Sequence, residues 1–118
     1  MRADAAYMKA YVLTDRESIQ VSLRCAMKTF IYRQVYRPGM LVATERRLVF
    51  VADSTKGNEL IEVFEYRDIN DIRKKRGLLN SRIVLRYKTD IVKFSQFLAD
   101  NDDLLVKVVK EMMVKNEG

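Results

Sequence analysis

Between Met40 and Phe94 short apolar runs alternate with polar turns, and a single amphipathic stripe then closes the chain. Seven candidate strands followed by one helix is an order that few folds can accept. Strands of this length bury only one face each and must pack against a second layer, which here has to come from the other strands and the helix. With 118 residues the chain makes one domain with a core of useful size.

The strand pattern begins upstream of that stretch. From Ser18 to Thr29, Ile19, Val21, Leu23, Cys25 and Met27 alternate with Gln20, Ser22, Arg24 and Lys28, a long half-buried strand. Arg37-Pro38-Gly39 carries turn residues, so the second strand is expected to be short, Met40 to Ala43. Arg47 to Val51 is continuously apolar after its first residue and is expected to be central. Further strands follow around residues 60–66, 68–75, 82–88 and 91–94, with Thr89-Asp90 as a two-residue turn. After Phe97 the period changes to that of a helix. Leu104, Leu105, Val108, Val109, Met112 and Met113 form one stripe between about Asn101 and Asn116, with Asp100 or Asn101 as the cap. Ala5, Ala6, Met8, Tyr11 and Val12 suit a short helix, so residues 1–15 are read as a helical extension to a domain spanning 16–118.

The net charge of +6 is concentrated. Residues 72–88 hold Arg73, Lys74, Lys75, Arg76, Arg82, Arg86 and Lys88 and no carboxylate, whereas the remainder has fifteen basic residues against sixteen acidic ones. Such a cluster attracts anionic partners or guards a sheet edge against pairing. Arg73, Lys74, Lys75, Arg76 and Arg82 are therefore candidate anion-binding residues. A second cluster is aromatic: Phe30, Tyr32, Val35 and Tyr36 crowd one connection and are candidate interface residues.

Catalytic chemistry finds little support. The chain has no histidine, the usual general base and commonest transition-metal ligand, and one cysteine cannot make a thiolate metal site or an intramolecular disulfide. No nucleotide-binding, hydrolase or metalloprotease motif is present. Neither catalytic residues nor a cofactor nor a metal is expected. The N-terminus has no apolar signal core and no run is long enough to span a bilayer as a helix, which makes the cytoplasm the default location.

Pro38 to Val51, then Phe64 to Ile72, then Lys74 to Leu85 carry a family pattern. Gly39, Leu41, Ala43, Thr44, Arg47, Leu48 and Phe50 fit its first part. Phe64, Tyr66, Ile69 and Ile72 fit the second, and Lys75, Gly77 and Leu78 the third. In these residues the chain resembles the YokE-like bacterial pleckstrin-homology (PH) domains over about residues 17–115. The resemblance implies a PH-like superfold: seven antiparallel strands in two nearly orthogonal sheets, a bent barrel or sandwich capped by one helix. Eukaryotic relatives bind phosphoinositides through a first hairpin with lysine, a spacer and Arg-x-Arg. Here that hairpin offers Lys28, Arg33 and Arg37 without the Arg-x-Arg.

Two functions follow as expectations. One is a non-catalytic scaffolding module that binds a protein partner or itself as a homo-oligomer. The other is a binder of anionic surfaces, acidic lipid more than nucleic acid, since no aromatic platform is interleaved with the basic run.

Overall fold

The computed structural model describes residues 4, 8–30, 34–53, 60–77, 81–95, 97 and 101–116. Seven strands, β1 (Ile19–Phe30), β2 (Gln34–Thr44), β3 (Arg47–Ala52), β4 (Ile61–Glu65), β5 (Ile69–Arg76), β6 (Ser81–Tyr87) and β7 (Asp90–Ser95), precede helix α1 (Asp102–Lys115). All pairings are antiparallel, in the order β4-β3-β2-β1-β7-β6-β5. Where the resemblance implies two sheets, hydrogen bonding makes one, because β1 pairs with β2 along one edge and briefly with β7 along the other. The sheet stays open: β4 and β5 are its two edges, linked by the single 3-10 turn Tyr66–Asp68.

The sheet folds back so that its halves face each other. Phe94 of β7 lies 5.8 Å from the Phe50 ring of β3 and 6.2 Å from Phe64 of β4, and Phe64 meets Tyr87 edge-on at 5.2 Å. Inward residues of all seven strands join α1 in one core. The helix buries Leu105, Val106, Val109 and Met112. Leu105, Val109 and Met112 are thus buried as expected, but the stripe is rotated: Leu104 is 48% exposed and Val106 takes its place. Asn101 begins the helix without a side-chain cap, its amide donating instead to the Ser22 carbonyl.

Residues 37–39 do not turn. They belong to β2, which is eleven residues long where a short strand was expected. The Pro38 carbonyl accepts from Asp53 N–H at 2.8 Å, on the side away from β1. A strand residue directs its N–H and C=O to the same side, so the missing proline N–H costs the β1–β2 ladder nothing. Gly39 allows β2 and β3 to approach closely. A Cβ there would meet the Val51 carbonyl and come within 2.8 Å of the Ala52 Cα, both backbone atoms.

β3 is buried on both faces, which accounts for its unbroken apolar run. Its inner residues reach the core. Outward, Val49 and Val51 join Val42 and Met8 in a second cluster, supported by Val12 and Leu13. A five-residue π-helical turn, Met8–Val12, thus lies over the outer face of the sheet.

Helix register is testable. Val109→Asp puts an unpaired charge in a fully buried position and is expected to unfold the domain, whereas Leu104→Asp is expected to stay within about 0.5 kcal/mol of the parent. Thermal melts of the two variants check this; equal effects would place the helix differently.

Candidate functional site

Strand alternation sorts the basic cluster into two faces. Ile72, Ile83, Leu85 and Phe94 are buried and point inward. The residues between them point outward and are paired across the strands: Lys75 with Arg82, Arg73 with Val84, Asp71 with Arg86, Val84 with Lys93 and Arg86 with Ile91. The outer face of β5–β7 therefore presents Arg73, Lys75, Arg82, Arg86 and Lys93. Among the described residues at these outward strand positions Asp71 is the one carboxylate, and it accepts from Arg73 Nε at 2.7 Å. Lys75 and Arg82 sit directly opposite one another, an arrangement of like charges that destabilises a ladder.

Of the five residues singled out in sequence, Arg73, Lys75 and Arg82 share this face. Lys74 has the opposite parity. Its Nζ pairs with Asp102 Oδ2 at 2.7 Å and Asp103 Oδ1 at 3.1 Å, tying β5 to the start of α1. Hydrogen bonding to Asp102 and then Asp103 raises the Lys74 pKa, and the bond from Lys74 lowers that of Asp102. Arg76 is exposed at the hairpin end opposite Ser81. Arg86 and Lys93 were missed as members, although the even spacing of Arg86, four residues from Arg82, and of Lys93, two from Ile91, in alternating strands was the available signal.

Of the aromatic cluster, Tyr36 is 44% exposed on β2, with Lys28 Nζ 6.0 Å from its ring centre. Phe30 and Val35 lie on paired strands, but their side chains, like Tyr32 altogether, lie outside the described residues.

The motif residues Thr44 and Arg47 build a structural clamp. Thr44 Oγ1 accepts from the N–H groups of Arg46 and Arg47, each at 3.1 Å, and caps the β2–β3 turn. It also donates to Glu17 Oε2 at 2.8 Å. Arg47 donates to Glu17 Oε2 at 3.1 Å, to Glu17 Oε1 at 2.9 Å and to the Val12 carbonyl at 3.0 Å. The N-terminal segment is thereby pinned to the sheet. Burial pushes the Glu17 carboxyl up, but the bonds from Arg47, Thr14 N–H and Thr44 outweigh it and hold the pKa at about 2, against 4.5 ordinarily. Cys25 is a core thiol, 3% exposed, pushed up to about 12 chiefly by burial. Among the described residues no cluster of three or more histidine, cysteine or carboxylate side chains could hold a metal, and no helix is long and apolar enough to cross a membrane.

A groove of about 730 Å³ opens between the start of β7 and β4, lined by Met27, Lys28, Glu62, Phe64, Tyr87 and Lys93 among others.

Seven antiparallel strands folded over a core and one C-terminal helix define a PH-like domain, a class whose members are generally non-catalytic binding modules. The sequence matches the bacterial PH domain family over residues 13–111, and the chain belongs to that family. Solved structures agree on the fold. The C-terminal domain of an unknown protein from Leishmania infantum has a TM-score of 0.66 at 20% identity, covering 83% of this chain and 85% of that one. A DUF1696 family protein with a pleckstrin-homology domain from Shewanella loihica has 0.56 at 13%, covering 96% and 90%. A pleckstrin homology domain from Shewanella amazonensis has 0.52 at 12%, covering 95% and 94%. Among curated proteins none matches.

The clamp has a pH signature. Because Glu17 is more acidic folded than unfolded, its contribution is fully present above about pH 4.5 and is lost as pH falls towards 2. Glu17→Gln is expected to lower stability at neutral pH by on the order of 1–3 kcal/mol and to flatten the loss across that window. Denaturant midpoints at several pH values check this; an unchanged acid limb in the variant would contradict it.

Proposed function

We propose that this domain is a non-catalytic module that docks on an anionic surface, foremost the cytoplasmic face of a membrane containing acidic lipid, through the outer face of β5–β7. The observation that carries this reading is the display of Arg73, Lys75, Arg82, Arg86 and Lys93 on one side of three adjacent strands beside, among the described residues, a single outward carboxylate, Asp71. Cations spread over a broad sheet face suit a surface rather than one small ligand. Each Lys or Arg near an acidic bilayer contributes roughly 1 kcal/mol, so such a face supplies several kcal/mol at moderate salt and much less at high salt. The opposed Lys75–Arg82 pair works against the isolated sheet and is relieved by an anion lying across it.

Self-association through the β1–β2 hairpin is the second reading. Tyr36, exposed on a long strand, favours it.

Co-sedimentation with phosphatidylserine-containing vesicles distinguishes the two. The parent is expected to bind and to release with added salt. Lys75→Glu with Arg82→Glu is expected to weaken binding by roughly a hundredfold, since two charges are reversed. Binding that is indifferent to both would overturn the reading. A dimeric mass by light scattering that Tyr36→Asp returns to monomer would instead support the hairpin.

A further inference from the structure

The β1–β7 junction ends abruptly. Ala26 pairs with Ser95 and Met27 with Phe94, and among the described residues no further rung forms towards the start of β7. Yet β1 runs on to Phe30, paired with β2 as far as Gln34, and β7 begins at Asp90, paired with β6 from Tyr87. The two strands part as a fork, each with one open edge.

Ladder phase identifies the groups that face into it. The two-residue turn Lys88-Thr89, with Lys88 at φ 54°, makes Tyr87 and Asp90 the hydrogen-bonded closing pair. Hydrogen-bonded pairs recur at every second rung, so Val92 and Phe94 also bond to β6. The N–H and C=O of Ile91 and Lys93 point the other way, into the fork. On β1, Ala26 faces β7, and two residues on so does Lys28. The next rung would set Lys28 against Lys93 with both side chains on the outer face, and like charges directly opposite oppose that rung.

Parity also sorts the side chains at the fork. Lys28, Lys93 and Arg86 lie on the outer face. Inside are Met27, Phe64, Tyr87 and Val92, which join the core, with Glu62 and Asp90 at the groove's inner rim. A strand laid in the groove would place alternate side chains on these two sides.

We propose that the fork binds an extended, acidic segment of a partner protein, which adds as a strand to the free edge of β7. Its acidic side chains lie outward beside Lys28 and Lys93 and its apolar ones inward on Met27, Phe64 and Val92. Main-chain groups of Ile91 and Lys93 supply the affinity and the two lysines select the charge, the division of labour of strand addition. This site shares Lys93 with the outer face of β5–β7 but uses neither Lys75 nor Arg82 and needs no lipid.

The probe is a short synthetic peptide alternating valine and glutamate, titrated into the ¹⁵N-labelled domain. The Ile91 and Lys93 amides are expected to shift and to become protected from exchange. The same peptide N-methylated at alternate amides is expected to bind at least roughly tenfold more weakly, having lost main-chain hydrogen bonds. So is the parent peptide with Ile91→Pro, which deletes an N–H that β6 does not use. A valine–lysine peptide is expected not to bind, and Lys28→Glu with Lys93→Glu to reverse that preference. Lys75→Glu with Arg82→Glu should leave peptide affinity unchanged, and Ile91→Pro should leave vesicle binding unchanged. The N-methylated comparison uses the parent protein and decides the matter even if Ile91→Pro does not fold. No shift at millimolar peptide, or equal binding of the two peptides, would overturn the proposal.

Discussion

Among the described residues two rungs between β1 and β7 hold the two halves of the sheet together, and the rest of the structure depends on this junction. Their hydrogen bonds alone are a weak joint, since each contributes only about 0.5–1.5 kcal/mol net. The Phe94 side chain makes the joint firm. It is fully buried, reaches Phe50 and Phe64 across the fold, and sits at the last rung before the fork. Burial of one phenylalanine contributes about 1.5–3 kcal/mol and each ring pair about 0.5–1.5 more, so side-chain packing rather than the ladder decides where the sheet closes. Below that point, among the described residues, β7 pairs with β6 alone.

The same alternation that builds the core distributes the charge. Inward positions on β5–β7 carry Ile72, Ile83, Leu85 and Phe94, and outward positions collect five cations. Lys74 shows the rule from the other side. One residue from Arg73 and one from Lys75, it points the opposite way and is spent on Asp102 and Asp103 of α1. The four consecutive basic residues Arg73 to Arg76 are therefore not four members of one surface, and Arg86 and Lys93, more distant in the chain, belong where Lys74 does not.

Much of the fold was legible from period alone: seven strands, one helix, and burial of Leu105, Val109 and Met112. The errors have local physical causes. Pro38 reads as a turn until the direction of its missing N–H is known, and that direction depends on its partner Asp53, the residue that follows β3. The Leu104 and Val106 positions exchange because two adjacent apolar residues permit a small rotation of the helix, which only the opposing sheet settles. The covering of Val49 and Val51 by Met8 was hidden because the segment contributes a turn rather than a repeating stripe. Thr44 and Arg47, visible as motif residues, carried no sign of their partner Glu17, about thirty residues away. The fork was invisible to any single-strand pattern, since it is set between remote strands: Phe94 packs on Phe50 and Phe64 at the last rung, and the next rung would oppose Lys28 to Lys93.

Residue-resolved amide exchange in the free protein tests the open junction most directly. With Val92 and Phe94 bonded to β6 and Ile91 and Lys93 facing the fork, protection along β7 is expected to alternate: slow at Val92 and Phe94, fast at Ile91 and Lys93, slow again at Ser95 where the junction to β1 begins. Uniformly slow exchange from Ile91 to Ser95 would mean that β1 and β7 pair along their full length, leaving no fork for a partner to enter.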